Sequence, residues 1–181
     1  MNYIECFNDY FTKLKAFSRE NYGTLPTVTY SERLNPLLLT SDPDESGEVE
    51  WNPVPNSNIP WDLIEQRLGF SLCDDLKGFY GTYYFLTLSG VFDNVYLYIY
   101  PNDGSVTLED FIYQNYQDAQ SVFPGTQNFL IGNAVVAGDD DYFIYVENST
   151  GSVFCFETNK MRKVDLRYSL FEIIESMEAI D

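Results

Sequence analysis

The sequence predicts a single domain in which an αα-hairpin feeds a β-sheet, and three observations carry that reading. Two helical periodicities meet at Leu68-Gly69-Phe70: Trp61, Ile64 and Leu68 fall on one face, then Leu72, Leu76, Phe79 and Tyr83 on another. Runs rich in aromatic and β-branched residues follow, at Tyr84–Leu88, Val95–Tyr100, Tyr142–Val146 and Val153–Phe156. The chain has 181 residues, 45% of them hydrophobic, enough for one core without staples, and neither a repeat nor a break in composition marks a second domain.

Residues 2–21 read as an amphipathic helix with Ile4, Phe7, Phe11 and Leu14 on one face, supported by Tyr10 and Phe17. Lys13, Lys15 and Arg19 lie toward its C-terminal end, as the helix dipole prefers, and Gly23 ends it. Leu25–Asn58 reads as irregular. It holds a turn cluster at Ser41–Gly47, an edge-strand alternation at Glu48–Trp51, and prolines in Asn52–Asn56 that block regular structure. Such a loop either wraps the core, with Trp51 as anchor, or serves binding.

Pro60 suits the first position of the next helix, with Ser57 or Asn58 to cap it, and Gly69 stops it without steric strain. Ser89–Asn94 is the expected turn between the first two strands. Thr107 caps a helix from Leu108 to about Ser121, with Asp110 completing an imperfect capping box, and Pro124-Gly125 ends it. Phe129–Ile131 reads as a short strand, and Ala134–Gly138 leads into an acidic loop, Asp139-Asp140-Asp141. The clearest hairpin turns at Asn148–Gly151. Ser169 and Glu172 form a capping box for a last helix that buries Leu170, Ile174 and Met177.

Net charge is −18, which repels nucleic acid and anionic lipid and favours a cationic partner. The distribution says more than the sum. From Gly78 to Asn159 there is no Lys or Arg, while ten carboxylates fall in that stretch. Aromatics are abundant, with 15 Tyr and 14 Phe, suiting a thick core and also binding surfaces, where tyrosine offers rigid area plus a hydroxyl. Cys6, Cys73 and Cys155 are sparse and lack CxxC spacing, so a reducing compartment is expected. No leader-like N-terminus and no membrane-length apolar run is visible, which predicts a cytoplasmic protein whose Asn148-Ser149-Thr150 sequon is a turn.

There is no histidine, which removes the commonest general base and nucleophile activator, and GxGxxG, Walker and GxSxG motifs are missing. No enzyme activity, cofactor or metal is expected. Asp139-Asp140-Asp141 has three readings: a solvated loop, a partner-facing acidic loop, or a site for a hard cation, although EF-hand spacing is missing. Asp74-Asp75 suits a helix N-terminus. Lys160–Lys163 has three readings: a nucleic-acid contact, a counter to the acidic field nearby, or a solvated linker before the last helix. The residues expected to meet a basic protein partner are Asp93, Asp103, Glu109, Asp110, Asp139, Asp140 and Asp141.

These motifs, in this order, resemble the SUKH superfamily and within it the Syd family. The resemblance runs nearly end to end. It rests on Trp51-Asn52-Pro53-Val54-Pro55, on Leu68-Gly69-Phe70 with Leu76 and Phe79-Tyr80, on Glu109-Asp110-Phe111, on Phe129-Leu130-Ile131-Gly132, and on the late hairpin and Ser169-capped helix. It implies an α+β fold with a mixed or antiparallel sheet flanked by helices, and a binding module without catalysis. Its members suggest two roles: an immunity protein that neutralises a cationic polymorphic toxin, or a Syd-type regulator docking on cytosolic SecY loops, peripheral to the membrane. Gly81–Asn102 departs from the Syd pattern in being richer in tyrosine, which counts against the SecY role.

Overall fold

The computed structural model describes residues 2–180. In chain order they form α1 (Tyr3–Tyr22), β1 (Thr27–Thr29), β2 (Glu48–Glu50), β3 (Val54–Pro55), α2 (Trp61–Leu68), α3 (Asp74–Thr82), β4 (Tyr83–Tyr84), β5 (Leu88–Phe92), β6 (Val95–Ile99), α4 (Leu108–Gln120), β7 (Asn128–Val136), β8 (Asp139–Glu147), β9 (Ser152–Glu157), β10 (Arg162–Ser169), α5 (Leu170–Ser176) and β11 (Glu178–Ala179). Seven strands make one curled sheet in the order β10-β9-β8-β7-β6-β5-β11, with β1–β2 and β3–β4 as small satellites. The class is α+β, and every pairing is antiparallel.

The first helix buries Phe7, Tyr10, Phe11 and Leu14 as its periodicity demands, but Ile4 faces solvent because Tyr3 and Cys6 take the inward positions of the first turn. The Tyr10 hydroxyl donates to the Ser89 carbonyl (2.9 Å) and accepts from the Ser89 N–H (2.8 Å), which ties α1 to β5. The Leu25–Asn58 segment wraps the core with Trp51 as its buried anchor, edge-on to Phe11 at 6.1 Å, and it is more regular than its prolines suggest.

Pro60 itself occupies the N-cap of α2, with neither Ser57 nor Asn58 capping, while Gly69 ends the helix in the left-handed region (φ 81). The next helix is shorter than its apolar stripe. Leu72 and Cys73 give their N–H groups to the Glu65 and Asn148 side chains (2.8 Å each), and Tyr83 pairs with Pro55. Leu72 and Tyr83 are buried nonetheless. Asn148 is buried and also donates to the Ser71 carbonyl and to Gln127 Oε1, so this turn residue locks the hairpin to the α2–α3 junction. Asp75 does more than favour a helix N-terminus. It is buried and accepts the Tyr3 hydroxyl at 2.8 Å, and burial raises its pKa above the usual carboxylate range.

The strand expected at Tyr84–Leu88 breaks after Tyr84 and restarts at Leu88, and the expected turn at Ser89–Asn94 contracts to Asp93-Asn94. Both turn residues have positive φ (48 and 61), as a two-residue hairpin turn of matching twist requires. Gly90 is needed inside β5, since a Cβ there would collide with Met177 and the Glu178 carbonyl and exclude β11. A second turn, Ala137-Gly138 (φ 51 and 82), moves Asp139-Asp140-Asp141 out of the expected loop and into the start of β8. The expected linker at Lys160–Lys163 is a turn followed by β10. That outermost strand carries Arg162, Lys163, Asp165 and, at a register shift, Arg167 with φ 63.

Alternation fixes the two faces of the sheet. Val95, Leu97, Ile99, Ala134, Ile144, Val146 and Cys155 point into the main core, which the helices α1, α3 and α5 share. The fourth helix adds Ile112 to that core, then passes the sheet so that Ala119 meets Tyr145, Phe154 and Phe156 on the opposite face. Phe123 caps this second cluster edge-on, 4.9–5.6 Å from the three rings. Among the described residues no helix is long and apolar enough to cross a membrane.

Candidate functional site

The seven carboxylates expected at a partner interface fall into two groups. Asp103, Glu109 and Asp110 lie beyond the Ile99 end of β6, around the start of α4. Thr107 caps that helix, accepting the Asp110 N–H (3.1 Å) and donating to Asp110 Oδ2 (2.7 Å), because its extended backbone aims the hydroxyl at the first turn. Arg67, in the last turn of α2, reaches across to Glu109 Oε1 (3.0 Å) and Asp110 Oδ1 (2.7 Å). Its guanidinium also lies 4.2 Å from the centre of the Tyr113 ring. The Arg67 guanidinium holds the Asp110 carboxyl below the usual carboxylate range. Asp103 is occupied by a local turn, accepting the Ser105 N–H at 2.9 Å. Arg67 thus serves two of the three carboxylates of this corner with a single positive charge and offsets its acidity in part.

The other group sits at the opposite end of the sheet. Val95 pairs with Val136, so the Asp93-Asn94 and Ala137-Gly138 turns lie side by side, with Asp139, Asp140 and Asp141 next to them. Lys160 Nζ pairs with Asp139 Oδ2 at 2.9 Å and lowers its pKa. Buried Glu157 sets that geometry by accepting the N–H groups of Asn159 (2.7 Å) and Lys160 (2.8 Å). One carboxylate oxygen from each of Asp139, Asp140 and Asp141 lies within 4.8 Å of the others, and Lys160 already supplies a cation there. Asp93, Asp140 and Asp141 form no ion pair among the described residues.

Next to this second group the outer face of the sheet is uncovered. Register places Glu178, Val91, Tyr96 and Val135 in one cross-strand row that runs toward Asp140 and Asp141. The adjacent row holds Ser89, Tyr98, Asn133, Phe143 and Phe156. Phe123 buries Phe156, and the cover ends there: Tyr96, Tyr98 and Phe143 keep 46%, 41% and 37% of their surface exposed. Tyr100 steadies the face by donating its hydroxyl to Asn133 Oδ1 at 2.8 Å. Burial raises the Tyr100 pKa and Asp118 adds to the effect, which keeps the hydroxyl a donor.

Two acid-lined hollows flank these rings. One, of about 490 Å³, has Val91, Asp93, Tyr168 and Glu178 in its wall, and the other, of about 250 Å³, has Asp118, Leu130 and Phe143. Sequence reasoning left Asp118 and Glu178 out of the interface. Asp118 is brought to this face by the passage of α4, and Glu178 by β11, a two-residue strand that no local pattern announces. The period-2 exposure of Tyr96 and Tyr98 was the available signal. No protein-family model matches the chain, and no curated protein matches it.

Proposed function

We propose that this chain is a non-catalytic acidic binding protein, acting as an immunity protein that neutralises a cationic polymorphic toxin by covering its basic surface. The observation that carries the reading is the group Asp93, Asp140 and Asp141, which form no ion pair among the described residues, Lys160 beside them being paired with Asp139, in the stretch from Gly78 to Asn159 that is devoid of Lys and Arg. A field of one sign raises the encounter rate with a basic protein, and rigid rings beside it supply buried contact area. The toxin as partner comes from the SUKH resemblance, and the basic chemistry of its surface from these residues. Nothing in the reading needs a bond made or broken.

The test is the association rate with the toxin encoded by the neighbouring gene, measured against ionic strength. The expected rate falls by at least about tenfold as salt shortens the Debye length from roughly 30 Å to 3 Å. A flat profile overturns the reading. Recovery of SecY from cells, with no toxin gene alongside, would move the same chemistry to the translocon.

A further inference from the structure

Twice, this chain satisfies a cation of its own with the same pair of groups, an aromatic ring and a carboxylate. Arg67 lies over Tyr113 and pairs with Glu109 and Asp110. Lys163 lies 4.4 Å from the centre of the Phe154 ring and pairs with Asp165 at 2.6 Å. Phe154 and Asp165 are cross-strand partners on the outer sheet face, so this second case stands on the same surface as the open rings. Around Tyr96, Tyr98 and Phe143 the rings and the carboxylates recur, and among the described residues no Lys or Arg lies over these rings: Lys163, in the same cross-strand row beyond Phe156, is taken by Phe154 and Asp165, and Lys160 by Asp139. Asp141 precedes Phe143 by two residues on one strand face, and Glu178 shares the cross-strand row of Tyr96. None of the ion pairs among the described residues involves Asp93, Asp118, Asp141 or Glu178.

We infer that the outer face of β5–β8 is the docking surface for an arginine-bearing segment of the protein partner, its guanidinium groups stacking on Tyr96, Tyr98 and Phe143 while Asp141 and Glu178 take the charge. The inference rests on the binding role proposed above and names where the partner lies and which cation it offers. Arginine fits better than lysine, because a planar, weakly hydrated guanidinium stacks on a ring while still donating to a carboxylate at its edge. Four strand spacings separate Glu178 from Asp141, roughly 19 Å, which accommodates one helix or one extended segment laid between the acids.

The experiment titrates the protein with an oligo-arginine peptide and an oligo-lysine peptide of equal length at low salt. Wild-type protein is compared with the double variant Tyr98→Val, Phe143→Val, which removes two rings and keeps strand-forming residues. The arginine peptide is expected to bind about fivefold tighter than the lysine peptide, and the double variant is expected to erase that preference. Amide shifts in the wild-type protein give a readout independent of any variant, and they are expected at Tyr98, Asn133 and Phe143. Equal, salt-sensitive binding of both peptides with shifts confined to the ends of the sheet overturns the assigned face and leaves the acidic binding role standing. No binding of either peptide overturns both.

Discussion

The Arg67 corner and the open sheet face are built from the same parts, and they differ in who provides the cation. At the corner, α2 brings a guanidinium within 2.7 Å of Asp110 and over Tyr113, so two carboxylates and a ring are spent internally. On the sheet, Tyr96, Tyr98 and Phe143 stand beside Asp141 and Glu178, and among the described residues no Lys or Arg stacks on these rings or pairs with these two acids. Buried Asp75 is a third arrangement, a carboxylate held by the Tyr3 hydroxyl. Acidity in sequence is therefore a poor guide to acidity available to a partner. What counts is the remainder after the internal pairs are formed.

Closing the open face by hand is the sharpest way to break this contrast. Asn133→Arg places a guanidinium between Tyr98 and Phe143, and partner affinity should fall on the order of 100-fold, as like charge and a filled site both oppose docking. Equilibrium titration with the cationic partner reads the loss. Next in size, Glu157→Ala removes a buried acceptor that takes two partly buried backbone N–H bonds and should cost about 2 kcal/mol in urea unfolding. It should also free Lys160 from Asp139.

A smaller effect belongs to Asp75, whose folded-state pKa is raised by burial, with the nearby Glu172 adding to it. The folded protein then holds this proton more tightly than the unfolded chain, so ionisation of Asp75 weakens the fold above that pKa and the penalty fades as pH drops through it. Asp75→Asn should raise Tm at neutral pH, with the gap to wild type closing on acidification in thermal circular dichroism. The smallest effect is expected from Arg67→Ala, which bares Glu109, Asp110 and Tyr113 and should speed association with a cationic partner about twofold. An unchanged rate would show that the corner lies outside the path of approach.

Much of the scaffold was legible wherever a local signal decides the backbone. Gly69 stops α2, Thr107 and Ser169 cap α4 and α5, and Gly151 closes the late hairpin. Elements fixed by distant partners were not. The β5 strand reads as a turn because Gly90 and Ser89 look like breakers, whereas Gly90 is there to admit Met177 and β11. Charges hide β10, as suits an outer strand with one side unpaired. The site was half legible. Sequence names every carboxylate but cannot tell that Arg67 pairs with Glu109 from 42 residues away, or Lys160 with Asp139 from 21.

An uncovered aromatic sheet invites copies of itself to stack and its rim to recruit further strands, the route to insoluble fibres. Here the rim is guarded: Arg162, Lys163, Asp165 and Arg167 stud β10, and the left-handed Arg167 bends the strand out of line. Edge pairing along β10 is thereby blocked, while Tyr96 and Tyr98 on the sheet face stay exposed.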